Sequence, residues 1–201
     1  VTTTTDIATT ERAEVIEAFL PRFVGLHGFE GAGKDTVGMI LTEYGYNRVA
    51  FADVLRKALY ILNPLILSDS HGRDFRLKEI VDEIGWDEAK RSYPEIRRML
   101  QVLATEVGRE LISKNVWVDA AFKDLDPEKK YVFTDVRFEN EHQAVDKNLG
   151  LLIKITRPGY GPVNDHKSTK ELPDLWFDAH VKNDGTIEEL HTKVHNILAQ
   201  A

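Results

Sequence analysis

Gly28-Phe29-Glu30-Gly31-Ala32-Gly33-Lys34-Asp35-Thr36 is a glycine-rich turn carrying the spacing G-x-x-x-x-G-K. A short β-rich run, Arg22–His27, precedes it. After it Val37, Ile40, Leu41 and Tyr44 recur at helical spacing, with Gly45 beyond them as a stop. Strand, turn and helix in that order build a phosphate-binding loop. The glycines let successive main-chain N–H groups converge on one anion, and the helix start adds the positive end of its dipole. Gly28, Gly31, Ala32, Gly33 and Lys34 are therefore candidate contacts for a nucleotide's phosphates, with Lys34 as a point charge for the outermost ones. The residue after such a lysine is ordinarily Ser or Thr, whose hydroxyl meets Mg²⁺. Here it is Asp35, with Thr36 next, and either supplies a hard oxygen.

Outward from this turn, strand-like and helical patterns alternate. Arg48–Ala52 is the second apolar run, and Asp53 stands where it would cap a helix carrying Leu55, Ala58, Leu59 and Leu62 up to Pro64. Leu65–Arg73 reads as an irregular loop. Leu77, Ile80, Val81 and Ile84 mark a helix before Gly85, and Pro94 opens a long one with Ile96, Leu100, Leu103, Val107 and Leu111 on its buried stripe. Tyr131–Thr134 and Leu151–Ile155 are strands flanking a helix near Glu139–Lys147. Val181 ends a last strand, and Thr186 with Glu189 has the capping-box spacing before a final helix. The expectation is an α/β fold with a parallel sheet covered on both faces, interrupted between its second and third strands by a helical lobe over about 54–123. Residues 1–21 form an extension with a short helix over Glu11–Leu20, and 22–201 form one domain.

The 201 residues are ample for such a core. No apolar run reaches the length of a membrane span, and Val1–Thr10 lacks the build of a secretory signal. With no cysteine, disulfide scaffolds, thiolate metal sites and Cys nucleophiles are excluded. A soluble, cytoplasmic protein is expected. A net charge of −7 argues against a coat for nucleic-acid polymers.

Other residues point to the same chemistry. Asp135, closing the Tyr131–Thr134 run, belongs at the ligand edge of a parallel sheet as a third candidate for Mg²⁺, or else as a helix cap. Arg137 either neutralises a transferring phosphate or pairs with Glu139 or Glu141. Asp53 is either a cap or part of an acceptor pocket. Arg98 and Arg109 are 11 residues apart on the long helix, close to three turns, with Gln101 between them, an arrangement suited to an anion. Arg157, in Arg157-Pro158-Gly159-Tyr160-Gly161-Pro162, opens a turn-rich lid over about 157–170, to which His166 and Lys167 would belong. Trp117, Trp176 and Phe177 read as core before base-stacking platforms.

These motifs in succession resemble the bacteriophage-type deoxynucleoside monophosphate kinases. The resemblance rests on Gly33-Lys34-Asp35-Thr36, on Phe51 to Leu59, on Leu100 to Arg109 with Trp117 after it, on Asp135-Val136-Arg137-Phe138-Glu139-Asn140-Glu141 and on Asn183-Asp184-Gly185-Thr186. It spans Phe23 to Leu198 and includes the Asp after the loop lysine. It implies a P-loop nucleoside monophosphate kinase fold with strand order 2-3-1-4-5. It also implies transfer of the γ-phosphoryl of ATP, with Mg²⁺, to a deoxynucleoside 5′-monophosphate. By that resemblance Lys34, Arg137 and Arg157 are catalytic, and Asn183 packs beside the ATP adenine. Asp53, Arg98, Gln101, Thr105, Arg109 and Trp117 belong to the acceptor pocket, and Asp35, Thr36 and Asp135 to the metal. A homodimer is left open.

Two other readings compete. Dephospho-coenzyme A and phosphomevalonate kinases also pair a phosphate loop with a small lid. A GTP-binding switch would need an Asn-Lys-x-Asp segment, which the chain lacks, while Asp69-Ser70-His71-Gly72 matches Asp-x-x-Gly by chance.

Overall fold

The computed structural model describes residues 20–68, 70–161 and 172–201. The helix expected ahead of Leu20, Asp69, and the part of the expected lid beyond Gly161, including Asp165-His166-Lys167-Ser168, lie outside the described residues. Along the chain, β1 (Phe23–His27), α1 (Lys34–Thr42) and β2 (Tyr46–Val49) come first. They are followed by α2 (Phe51–Leu62), the short strands β3 (Leu65–Ser68) and β4 (Asp74–Arg76), α3 (Leu77–Ser92) and α4 (Pro94–Val102). The last of these runs on as a π-helical stretch, Leu103–Ile112, before α5 (Val116–Lys123). Then come β5 (Lys130–Phe133), α6 (Glu139–Lys147), β6 (Leu151–Thr156), a 3₁₀ turn at Asp174–Trp176, β7 (Ala179–Lys182) and α7 (Ile187–Leu198). These elements form two compact units, one made of the chain up to Ala50 and from Asp126 onward, the other of Phe51–Leu125.

The first unit holds a five-stranded sheet in the order β2-β5-β1-β6-β7, every described pair parallel. Counted along the chain, its strands run 2-3-1-4-5, as the resemblance implied. β1 occupies the centre and is buried at all five positions, as a strand covered on both faces must be. On one face Val37 and Leu41 of α1 and Leu190, Val194 and Leu198 of α7 pack against Val24, Leu26, Ile153 and Ile155. Each such side chain contributes about 1.5–3 kcal/mol by leaving water. On the other face Val145 of α6 lies over Gly25. Phe177 is buried and Trp176 half-buried. This segment is tied down by the ion pair of the buried Lys154 with Asp174 and by His142 Nε2, which donates to the Trp176 carbonyl (2.6 Å).

The second strand starts earlier than the apolar pattern suggested. Tyr46 is buried and Asn47 and Arg48 are exposed, whereas Ala50-Phe51-Ala52 leads into α2, where Phe51 meets Phe122 with ring centroids 6.4 Å apart. Asp53 is thus inside the first turn of α2 and not its cap.

In the second unit Leu59, Leu77, Ile80, Val81, Ala89 and Ile96 form the core. Leu65–Arg73 is not an irregular loop: β3 and β4 pair as an antiparallel hairpin between α2 and α3. Ile66 and Phe75 are held because they pack against the helical core. Gly85 has non-helical dihedrals and divides α3 into two runs, as its glycine suggested. The stripe expected beyond Pro94 fails at its far end, where Leu111 is 78% exposed. The π-helical turns after Val102 are wider than α-helical ones, so a 3.6-residue repeat drifts off the buried side. Among the described residues no helix is long and apolar enough to cross a membrane.

Candidate functional site

The turn between β1 and α1 has the backbone that its glycines allow. Gly28, Gly31 and Gly33 all have positive φ, and Gly33, at φ 104°, is the residue from which α1 starts. Ala32 N–H closes the turn on the Phe29 carbonyl (3.1 Å), and Val37 N–H reaches Gly33 (3.0 Å). Lys34 folds back over this cradle. Its Nζ donates to the Gly28 and Phe29 carbonyls at 2.7 and 2.8 Å.

The side chain is 9% exposed. Burial, and then the nearby positive charge of Arg137, bring its pKa down to about 8, against the opposing pull of Asp35, Asp135 and Glu30. The charges of Arg137, Asp35, Asp135 and Glu30 therefore act on Lys34 at this edge of the sheet. The unfolded chain keeps Lys34 protonated up to about its ordinary 10.5, the folded chain only up to about 8. Between those values the unfolded state binds the extra proton, so raising the pH through this window removes a penalty on the fold. We expect the stability deficit of the wild type relative to Lys34→Met to shrink from pH 8 to pH 10.5 in urea titrations. A deficit that stays constant over that range would contradict the buried, strained ammonium.

Asp35 is largely exposed, and one of its oxygens accepts from Arg48 Nη2 at 2.8 Å. Thr36 is half-buried. Asp135 follows the end of β5, half-buried. It is not a helix cap, since α6 starts from Phe138. Arg137 is exposed. Glu141, 2% exposed, accepts from the backbone N–H groups of Arg137 (2.8 Å) and Phe138 (3.1 Å), while Glu139 accepts from Gln143 Nε2 (2.9 Å).

Two further segments reach the loop. Arg157 Nη1 donates to the Gly31 carbonyl at 3.3 Å, and its guanidinium lies 4.8 Å from the Tyr160 ring centroid. That ring covers Gly31 so closely that a Cβ there would collide with it. From the start of α7's approach, Asn183 donates its Nδ2 to the Ala32 carbonyl (2.9 Å) while its own N–H bonds Thr156 (2.7 Å). The fold therefore gathers Gly28, Gly31, Ala32, Gly33, Lys34, Arg157 and Asn183 around one turn.

The remaining candidates lie in the second unit. Asp53 accepts from Arg56 (3.1 Å). Arg98 is held in two bonds by Glu95 on its own helix (2.8 and 2.6 Å). Gln101 is exposed and Thr105 half-buried. Arg109 Nη1 and Trp117 Nε1 both donate to the Ala104 carbonyl, at 3.1 and 2.9 Å. Trp117 is buried, with its ring against Gly108. The wider π-helical turns move Arg109 off the line it would share with Arg98 in an α-helix.

Arg48, Tyr160 and Glu141 were not picked out as site residues by the sequence pattern. For Glu141 a signal existed, because it stands three residues after Phe138, the spacing at which a carboxylate caps a helix start. Arg48 and Tyr160 had none beyond their residue type.

A family model described as deoxynucleotide monophosphate kinase matches residues 66–194. A protein of Acanthamoeba polyphaga mimivirus, whose own assignment as a deoxynucleotide monophosphate kinase is provisional, is 30% identical over 193 residues, covering 89% of this chain and 96% of its relative. The deoxynucleotide monophosphate kinase of Escherichia phage RB69 is 32% identical over 111 residues, covering 51% and 44% of the two chains. The deoxynucleoside-5′-monophosphate kinase of Escherichia phage T5 is 26% identical over 237 residues, covering 86% and 94%.

Proposed function

The chain belongs to the deoxynucleotide monophosphate kinase family and transfers a phosphoryl group to a deoxynucleoside monophosphate, and from that premise we propose how its residues divide the work. ATP is the donor, its triphosphate lying in the cradle of Gly28, Gly31, Ala32 and Gly33. What carries this reading is Lys34, buried at the mouth of that turn with its ammonium bonded to loop carbonyls whose place a phosphate can take. Arg157, resting on the Gly31 carbonyl, leaves it to meet the transferring group. Asn183 braces the loop on the side where the adenine lies. Asp53, Arg98, Gln101, Thr105 and Arg109 recognise the acceptor, with Trp117 holding Arg109's helix in place through Ala104.

Little covalent chemistry falls to the protein. An acceptor phosphate has a second pKa near ~6 and is largely dianionic at neutral pH, so no general base is needed. One of its oxygens forms a bond to the γ-phosphorus as the bond to the β-phosphate oxygen breaks, and ADP leaves with that electron pair. The difficulty is the approach of two anions, which Lys34, Arg137 and Arg157 offset in a site closed to water.

The oxygen donors Asp35, Thr36 and Asp135 suit Mg²⁺, which takes one or two carboxylates plus substrate phosphates and not an all-protein cage. No cluster of three or more His, Cys, Asp or Glu side chains that could hold a metal ion occurs among the described residues. Held by Asp35, Thr36 and Asp135, the ion would supply positive charge to the donor's phosphates. Asp35 would first have to release Arg48.

The test is ATP with each deoxy- and ribonucleoside monophosphate in turn, products identified by mass. ADP and a deoxynucleoside diphosphate are expected in equal amounts. Activity confined to dephospho-coenzyme A or phosphomevalonate, or tight GTP binding without transfer, would overturn the reading.

A further inference from the structure

His27 and Glu141 are buried, titratable and unused by the chemistry described so far, at 5% and 2% exposure. Burying either costs free energy unless its polar atoms are bonded, so their partners are informative. His27 is the last residue of β1, and Gly28 of the phosphate loop follows it. Its ring stacks on Phe177, with centroids 5.1 Å apart, and its Nδ1 lies 2.9 Å from the Val136 carbonyl. A carbonyl only accepts, so Nδ1 carries the proton. The next atom along the chain is the amide nitrogen of Arg137, which donates to Glu141 at 2.8 Å. The single peptide unit between Val136 and Arg137 is thus gripped at its oxygen by one buried side chain and at its N–H by another. One residue back, Val136 N–H bonds the Leu26 carbonyl at 3.1 Å.

An ordinary helix start would need only the bond that Phe138 N–H donates to Glu141. The additional grip fixes the main chain at Arg137, whose positive charge acts on Lys34, and ties it to the strand end that carries the phosphate loop. We propose that His27 and Glu141 are positioning residues that hold Arg137 in register with the phosphate loop for phosphoryl transfer. The inference rests on the reading of Arg137 as the residue that neutralises the transferring phosphate. It gives the buried imidazole a function in turnover, acting through a peptide bond and not by touching substrate.

The experiment is a double-mutant cycle on the full chain, with kcat and KM measured for ATP and for the accepted deoxynucleoside monophosphate. His27→Phe keeps the ring and its stacking but removes the donor. It is expected to lower kcat about 10- to 100-fold, as a small misplacement of a catalytic group does, with both KM values nearly unchanged. His27→Asn, which places an N–H near the position of Nδ1, should recover much of the loss. In an Arg137→Ala background, His27→Phe should have little further effect. Multiplicative losses in the double variant, or wild-type kcat in His27→Phe beside a crippled Arg137→Ala, would overturn the positioning role. An Arg137→Ala enzyme with full activity would instead sink the reading of Arg137 itself. Should His27→Phe fail to fold, Glu141→Gln in the same two backgrounds gives the same decision, because it weakens the other grip while keeping an acceptor oxygen. A merely structural role for either residue would lower the melting temperature without coupling to Arg137.

Discussion

Lys34→Ala loses about 10²-fold or more in turnover while keeping its fold, since removing a preorganised charge from a transition state costs on that scale. The two hydrogen bonds that Nζ makes are to carbonyls of its own loop, and both carbonyls can turn to water once the side chain is gone. Stability should not suffer, because the ammonium is held in a site that disfavours its charge. Thermal melting therefore separates from activity in this variant. Lys34→Arg should not restore turnover, because a planar fork does not fit where a compact ammonium is enclosed. Undiminished kinase activity in purified Lys34→Ala would remove the phosphate loop from the mechanism.

Gly28→Ala is expected to damage both binding and stability. The residue has φ of 157°, and a Cβ there would press into the backbone oxygen of Ile155 in β6. Unlike a side chain, that oxygen belongs to an interior strand of the sheet and has nowhere to go. Strained backbone alone costs about 1–3 kcal/mol, and the collision adds to it. Gly33→Ala is the informative comparison. At φ 104° it is strained as well, but its Cβ would meet only the amide of Asn183, which can swing away at the expense of its bond to Ala32. The expected order is therefore a larger fall in melting temperature for Gly28→Ala, with ATP binding lost in both. Equal melting temperatures, measured by calorimetry, would contradict the packing described here.

The phosphate loop was legible because its backbone turn and its lysine are local. Nine consecutive residues carry the glycines, the lysine and the start of the helix, and their neighbours have the periods of a strand and a helix. The alternation of the rest sufficed for a parallel sheet. What escaped depends on contacts between residues distant in sequence. The β3–β4 hairpin has strands of four and three residues, too short to show a period, and forms because Ile66 and Phe75 reach the helical core. The π-helical turns after Val102 leave no compositional mark, so Leu111 was placed on a stripe that had already rotated away. His27 and Lys154 sit opposite each other in neighbouring strands, yet in sequence each is one polar residue in an apolar run. Arg98 is a different case. Its pairing with Glu95, three residues earlier, is ordinary helix geometry and was open to inspection.

The latch from Asn183 to Ala32 joins residues 151 positions apart. During synthesis the glycine turn emerges well before the amide that steadies it, because the two are made 151 residues apart. Over that interval a nascent chain carries a seat for the nucleotide that lacks its last brace.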